Sequence, residues 1–221
     1  TRHDYFWKHP VHEVLKPKAN VEEKEGWYGL EIHHHPDSEK SRGSYLGLLE
    51  LAVAEDPDDD RNAHYYARDL YFAGRTSEAV EEFKRHLNLP SAVWAPERAA
   101  SMRYLAKADE ENAWSWLCGA TEEAPDSREA WHDMTKWLYE KQQWQLCLTA
   151  AMRGLAITER SLTYLTDSIA WGPALHDYAA IAAYNLGYFH EAQFHGEAAQ
   201  RLDPYDERLA ANLRDYREKA A

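Results

Sequence analysis

Cysteine is scarce in this chain, since Cys118 and Cys147 are the only two in 221 residues. Two cysteines are too few for a disulfide framework or a cysteine-rich zinc site, and their scarcity fits a reducing compartment. No apolar run approaches the roughly 18 residues that a membrane-spanning helix needs. We therefore predict a cytoplasmic protein without a membrane span.

Basic residues are also few. The chain has 25 lysines and arginines but 38 aspartates and glutamates, which gives a formal net charge of −13. This balance disfavours broad binding to nucleic acid or anionic membranes, although it is compatible with a local basic groove. Nucleophile-elbow, Walker, His-Glu-x-x-His and dinucleotide glycine motifs are absent too. The chain begins with neither methionine nor a signal-peptide pattern, so we expect it to be a piece of a longer protein.

An internal repeat is the clearest feature that is present. Five similar stretches align on one anchor residue each: Tyr45, Ala79, Ala113, Cys147 and Ala192. The first three intervals are 34 residues and the last is 45, which is 34 plus 11. Thirty-four is the tetratricopeptide period, in which each repeat is a pair of antiparallel helices. We predict a mostly α fold, a tetratricopeptide-like α-solenoid over residues 38–221, preceded by a short β and loop segment over residues 1–37.

Residues at fixed distances from the anchors agree with paired helices. Four anchors are small, as a close crossing of two helices requires, and Tyr45 is the exception. Gly74 and Gly187 mark turns inside two repeats, and residues 205–220 form a polar-faced helix that caps the array. Prolines stop the second helix of a pair. Pro57, Pro125 and Pro204 lie twelve residues after their anchors, and Pro90 is one residue short of that position. The first helices carry apolar or small residues on one face: Ala63, Tyr66, Ala67 and Leu70; Trp131, Met134, Thr135 and Leu138; His176, Ala179, Ala180 and Ala183.

The eleven extra residues fall within residues 157–172, which we call the insertion. An insertion in a repeat array commonly forms a loop on one face, and that face is often the binding face. Two interpretations stay open at this point: structural filler, or a contribution to a binding site.

A binding groove is predicted from the inward positions of the first helices. These positions are rich in Arg, Lys, His and Tyr, which favour recognition of sugars, carboxylates and peptide backbones. The alternative is a solvated face with ordinary tyrosines. The candidate acceptor- or partner-binding residues are Arg61, His64, Arg68, Tyr71, Arg98, His132, Lys136, Tyr139, Tyr184 and Asn185.

The first 37 residues differ from the repeats. Aromatic and β-branched residues cluster in YFW, VHEVL and WYGLEIHHH, with Lys-Pro-Lys-Ala-Asn and Glu-Gly between them, which predicts two or three strands. So few strands are marginal alone and must pack on the array or on further chain. In His33–His35 only the first and third histidines can share a face. Further ligands at obvious spacing are absent, so weak adventitious metal binding is expected there.

The order of several motifs resembles family 2 glycosyltransferases of the GT-A type that carry C-terminal tetratricopeptide-like helices. The motifs are Val11-His12-Glu13, the His33–His35 strand, Lys40 and Arg42, Asp56-Pro57-Asp58-Asp59-Asp60-Arg61, Tyr65-Tyr66-Ala67, WAPERAA, APDSREAW and LDPYDERLAANL. The resemblance covers nearly the whole chain. It departs from the family because an N-terminal α/β half with an Asp-x-Asp metal motif is missing. Asp58-x-Asp60 lies in a repeat turn and has a structural explanation.

The resemblance implies that residues 1–37 are the end of a catalytic domain. His12 would then complete the coordination of a divalent ion, Mn²⁺ or Mg²⁺, which neutralises the leaving diphosphate of a nucleotide-sugar. Glu13 would orient His12 or contact the acceptor, although alternation in a strand sends the two to opposite faces. The metal is expected only with the complete catalytic domain, and the alternative for His12 and Glu13 is a structural pair in an edge strand.

Two functions follow from these expectations. The first is the C-terminal portion of a nucleotide-sugar-dependent, inverting glycosyltransferase whose helices bind an acceptor or mediate oligomerisation, and which is not catalytically complete alone. The second is a free-standing tetratricopeptide adaptor that binds a peptide or protein in its concave groove. The resemblance favours the first, and the missing catalytic half favours the second.

Overall fold

The structure, a computed structural model, describes residues 4–11, 14–18, 29, 33 and 44–221. The chain forms two compact units, Thr1–Ser91 and Ala92–Ala221. The first contains β1 (Tyr5–Lys8), β2 (Val14–Pro17), α1 (Ser44–Glu55), α2 (Asp60–Phe72) and α3 (Thr76–Asn88). The second contains α4 (Ala95–Ala108), α5 (Ala113–Glu123), α6 (Arg128–Glu140), α7 (Trp144–Leu155), α8 (Ala174–Asn185), α9 (Phe189–Leu202) and α10 (Glu207–Ala220), with 3₁₀ turns at Glu110–Asn112 and Ser168–Trp171. Over the positions described, each helix is too short or too polar to cross a bilayer.

The helices pack as antiparallel pairs, which confirms the predicted fold class. Helix α2 packs on α3, α4 on α5, α6 on α7 and α8 on α9, and α10 covers α9. The four small anchors lie in the second helix of each pair and are at most 1% exposed: Ala79, Ala113, Cys147 and Ala192. Burial raises the pKa of the Cys147 thiol to about 12. This cysteine therefore stays a neutral thiol and packs as a small apolar side chain.

Helix ends fall where the sequence predicts them. Helices α1, α3, α5 and α9 each end two residues before one of the four prolines, because proline restricts the residue before it and has no N–H to donate. Side chains cap the starts of α2, α6 and α10. The Asp59 carboxylate accepts from the Asn62 N–H of α2 at 2.8 Å, and Ser127 and Asp206 accept from backbone N–H groups in the first turns of α6 and α10. A side-chain cap satisfies one of the N–H groups that a helix start leaves unpaired.

The turn inside a repeat has one recurring geometry. Gly74 and Gly187 have φ values of 76° and 80°, as the prediction requires, and Gln142 takes the same left-handed conformation at 55°. After each of them, a backbone N–H reaches back to a carbonyl five residues earlier. These bonds are Arg75 to Leu70 at 3.0 Å, Gln143 to Leu138 at 2.9 Å and Tyr188 to Ala183 at 2.9 Å. A third turn of this kind, without glycine, was not predicted.

The N-terminal hairpin is fixed to the turn between α1 and α2. Strands β1 and β2 pair antiparallel, with Trp7 opposite Leu15. The Lys8 ammonium lies 2.8 Å from Asp56, and His9 Nε2 lies 3.3 Å from Asp59. A buried cluster of Val11, Leu49 and Tyr65 joins the segment after β1 to α1 and α2. The strands therefore pack on the helices of their own unit. The third predicted strand, residues 27–35, lies outside the described residues except for Gly29 and His33.

A pair of histidines joins α8 to α9 inside the second unit. The Nδ1 atoms of His176 and His195 are 2.9 Å apart. Burial, aided by the neighbouring His195 and by Arg128 and Arg201, lowers the pKa of His176 to about 4, and burial also lowers that of His195. Glu191 lies 3.9 Å from His195 Nε2, but its side chain is 45% exposed and its attraction is correspondingly weak.

We expect this pair to make folding stability depend on pH. Because the folded pKa of His176 is about 4 and the ordinary value is 6.5, the unfolded chain takes up protons first as the pH falls. The stabilisation that depends on an uncharged His176 is complete above pH 6.5 and is lost progressively as the pH falls toward 4. His176→Gln should flatten the loss of melting temperature over this range, measured by circular dichroism. The matched change at the exposed His190 should leave the slope as in wild type, and an equal slope in His176→Gln would contradict the assignment.

Candidate functional site

The groove candidates on α2 do not share one accessible face. His64 is only 1% exposed, so a ligand cannot reach it in this packing. The guanidinium groups of Arg61 and Arg68 lie 5.6 Å and 4.6 Å from the centroid of the Tyr65 ring. Arg61 is exposed, and Arg68 and Tyr71 are partly exposed. Three of the four candidates therefore retain accessible surface in the first unit.

The candidates of the second unit are also dispersed. Arg98 turns toward the end of α5, where its Nε lies 2.7 Å from a carboxylate oxygen of Glu123. His132 is 2% exposed, whereas Lys136 is exposed and forms an ion pair with Glu140 on the same helix. The inward positions thus include buried, paired and exposed side chains, and periodicity alone does not separate them.

Three further candidates of this unit lie nearer its C-terminal end. The Tyr139 ring lies 5.0 Å from that of Tyr178, and the Tyr184 ring 5.3 Å from that of Tyr216. Asn185 is exposed, but its amide donates to a carbonyl of its own helix at 2.8 Å. Both tyrosines pack against other aromatic rings, and their predicted binding roles stay predictions.

A charge cluster around the buried Asp133 links α4 to α6. Asp133 accepts from Arg103 Nε at 2.8 Å, and Lys107 Nζ lies 2.9 Å away. His132 Nδ1 lies 3.2 Å from the other carboxylate oxygen. Burial opposes ionisation of Asp133, but Arg103, the His132 hydrogen bond and Lys107 together hold its pKa well below the usual range. We call these four residues the Asp133 cluster.

Glu129 attaches the insertion to the start of α6. One oxygen of this carboxylate accepts from the indole N–H of Trp171 at 2.8 Å and from the backbone N–H of Asp167 at 3.3 Å. Beside it, the Arg128 guanidinium lies 4.6 Å from the Trp171 ring and donates to the Ile157 carbonyl at 3.3 Å. Both ends of the insertion are thereby held against one helix.

Glu97 attaches the middle of the insertion to α4. The Tyr164 hydroxyl donates to the Glu97 carboxylate, and the Tyr164 ring lies 5.7 Å from that of Trp94. Glu97 is 3% exposed. Inside the insertion, the Thr166 N–H donates to the Thr163 carbonyl at 3.1 Å and forms a local turn. The insertion is therefore a docked element of the second unit.

The docked insertion borders a half-open cavity of about 410 Å³, whose other walls come from α4, the first turn of α6 and the α5–α6 turn. We call this space the insertion cavity. Its apolar lining includes Pro96, Ala124, Pro125, Leu165 and Trp171. Its charged lining consists of Arg103, Glu123, Asp126, Glu129 and Glu159. Such a mixture of apolar walls and a few polar groups is typical of ligand sites.

The residues that build this cavity were not among the groove candidates. Glu97 occupies the position sixteen residues before its anchor, which Ala63, Trp131 and His176 hold in the other repeats. Because this position is predicted to lie in the core, the carboxylate of Glu97 was a signal in the sequence that this residue has a specific polar partner. Glu129 and Asp133 carried no comparable indication, because their partners come from a non-repeating segment and from a neighbouring helix.

Comparisons with known proteins support the repeat fold. No protein-family model matches the chain, and no curated protein matches it. YrrB, described as a TPR protein with an unusual peptide-binding site, has a TM-score of 0.59 at 18% identity, covering 78% of this chain and 86% of its own. A tetratricopeptide repeat protein from Parabacteroides merdae has a TM-score of 0.55 at 16% identity, covering 80% and 66%. Yeast Tom70 has a TM-score of 0.55 at 16% identity. The match covers 83% of this chain but only 37% of Tom70.

The glycosyltransferase interpretation is wrong. The structures that match most of the chain are tetratricopeptide proteins, and the described residues contain nothing that indicates a GT-A catalytic domain. In the described part of the chain, the motifs from Asp56 onward that carry the resemblance are helix starts and core positions of repeats. Asp59 in the Asp56–Arg61 motif caps α2 and pairs with the hairpin, while Tyr65 and Ala67 are buried. WAPERAA, APDSREAW and LDPYDERLAANL similarly begin α4, α6 and α10.

The catalytic and metal roles predicted for His12 and Glu13 rested on that interpretation and lose their basis with it. Both residues lie outside the described part of the chain, as do His34 and His35, whereas His33 is exposed. In the described ranges, no group of three or more His, Cys, Asp or Glu side chains is arranged to hold a metal ion. The fold established for the chain is a tetratricopeptide-like arrangement of antiparallel helix pairs.

Proposed function

We propose that this chain is a tetratricopeptide protein that binds a peptide or a protein segment, and that the insertion cavity receives part of that segment. The docked insertion carries the proposal, because it adds a wall to the α4 and α6 surfaces and forms a half-open cavity with them. A volume of about 410 Å³ suits one or two side chains of a peptide. Repeat arrays use such surfaces to bind partners, and YrrB is described as having a peptide-binding site.

The position of the insertion gives the site its rigidity. Its contacts come from two different helices, through Glu97 on α4 and Glu129 on α6. A wall that is held before the ligand arrives costs less conformational entropy on binding than a free loop. We therefore favour a site contribution over structural filler for the insertion. Because Cys118 and Cys147 are both free thiols, a reducing cytoplasmic compartment belongs to the same proposal.

Obstructing the cavity should abolish peptide binding. A library of short random peptides displayed on phage is selected against the chain, and enriched peptides are synthesised for calorimetry. Ser161 is exposed and lines the cavity, so Ser161→Trp fills part of it with little change to the core. We expect affinity to fall by about tenfold or more, which corresponds to about 1.4 kcal/mol.

The matched control is Ser115→Trp, at an exposed position of α5 that does not line the cavity. It should bind the selected peptides as wild type does. Equal affinities for the two tryptophan variants would remove the insertion cavity as the site. Failure of the selection to enrich any peptide would contradict the peptide-binding function itself.

A further inference from the structure

The lining of the insertion cavity holds more carboxylates than the ion pairs of the described residues neutralise. Two of its five charged side chains are already paired, Glu123 with Arg98 at 2.7 Å and Arg103 with Asp133 at 2.8 Å. Asp126, Glu129 and Glu159 form no ion pair within the described ranges. The lining therefore presents three carboxylates that form no ion pair of their own, although Arg128 attracts the neighbouring Glu129 carboxylate and offsets part of this charge.

Glu129 is the most unusual of the three because it is only 8% exposed. Its hydrogen-bond donors are neutral: the Trp171 indole, the Asp167 backbone N–H and the Ser127 hydroxyl at 3.3 Å. The adjacent Arg128 directs its guanidinium to the Trp171 ring and to a backbone carbonyl. Buried carboxylates are normally paired with a cation. Arg128 attracts Glu129 but forms no ion pair with it in the described ranges, so Glu129 is satisfied in hydrogen bonds and only partly balanced in charge.

The apolar part of the lining defines the shape of a suitable cation. Pro96, Pro125 and Leu165 line the same space as the carboxylates. Lysine and arginine combine an aliphatic stem, which packs on apolar surface, with a charged end. An isolated metal ion or a small ammonium ion would leave these apolar walls exposed to water. A long basic side chain meets both requirements.

From these contacts we infer that the peptide bound in the insertion cavity is basic, and that a lysine or arginine side chain enters it and pairs with Asp126, Glu129 and Glu159. This inference rests on the proposed peptide-binding function and specifies its ligand. The formal net charge of −13 also favours a basic peptide, because it attracts a positively charged partner before contact is made.

The test uses the full chain and the same random-peptide selection. Enriched peptides should contain lysine or arginine, and replacing that residue by norleucine should weaken binding by about tenfold or more. The double variant Asp126→Asn with Glu159→Gln should produce a similar loss. Both residues are exposed, so the fold should be unaffected. Glu129→Gln gives a third measurement, since its amide oxygen can still accept from Trp171 and Asp167.

Glu218→Gln is the matched control, because it removes one negative charge at an exposed position of α10 outside the cavity lining. It should change affinity by less than about twofold at moderate salt, where distant surface charges are screened. If peptides bind, lose affinity in Ser161→Trp, and yet lack basic residues or ignore the carboxylate variants, the charge inference is overturned and the proposed function stands. If Ser161→Trp has no effect, both are overturned.

Discussion

Replacement of Asp133 by alanine is expected to lower the free energy of unfolding of the second unit by about 3–5 kcal/mol. The substitution removes the only carboxylate in the Asp133 cluster and leaves Arg103, whose side chain is 11% exposed, without its ion-pair partner. His132 loses its hydrogen bond in the same step. Removing one partner of a buried pair is costly because the remaining charge stays out of water. Urea titration followed by tryptophan fluorescence is suitable, since seven of the nine tryptophans lie in residues 92–221.

The control for Asp133 is Asp215→Ala, at an exposed position of α10. It should change the free energy of unfolding by less than about 0.5 kcal/mol. Acid provides a second check: because the Asp133 pKa is depressed in the folded state, its stabilising effect is complete above the ordinary value of 3.8 and declines as the pH falls below it. A loss below about 1 kcal/mol in Asp133→Ala would show that the cluster is a weak surface-type ion pair.

The repeat fold was predictable because its determinants are local and periodic. Small anchors such as Ala79, prolines after the second helices, and Gly74 at a left-handed position each have one physical reason that the sequence displays directly. The structure confirms these expectations with buried anchors and with φ values of 76° and 80° at the two glycines. Gln142 is the exception, because a non-glycine residue can take that conformation when the surrounding turn enforces it.

The candidate site was much less predictable because it depends on contacts distant in sequence. Tyr164 meets Glu97 across 67 residues, and Trp171 meets Glu129 across 42. Periodicity assigned His64 and His132 to a groove, but both are buried, since an inward position at a helix crossing can also be a core position. The family resemblance failed for a related reason. Caps and turns recur in any array of paired helices, so their order carries information about fold but not about chemistry.

Phe83→Ala should cost the first unit about 3–5 kcal/mol of unfolding free energy. Phe83 lies on α3, is fully buried at 0% exposure, and has its ring 6.1 Å from that of His64 on α2. Truncation removes apolar surface from the core and leaves a cavity that two packed helices cannot fully close. Because only Trp7 and Trp27 lie in residues 1–91, the appropriate measurement is hydrogen exchange of the α2 and α3 amides, which reports opening of these helices directly.

Phe72→Ala makes the same chemical change at the end of α2, where the side chain is 68% exposed. We expect it to cost less than about 1 kcal/mol, because little apolar surface is returned to water. The difference between the two variants isolates burial from the intrinsic preference for phenylalanine or alanine in a helix. Equal exchange rates in Phe83→Ala and Phe72→Ala would contradict the close packing of α2 on α3. A selective acceleration in Phe83→Ala would show that a helix pair at a period of 34 is stabilised by its shared core rather than by its exposed termini.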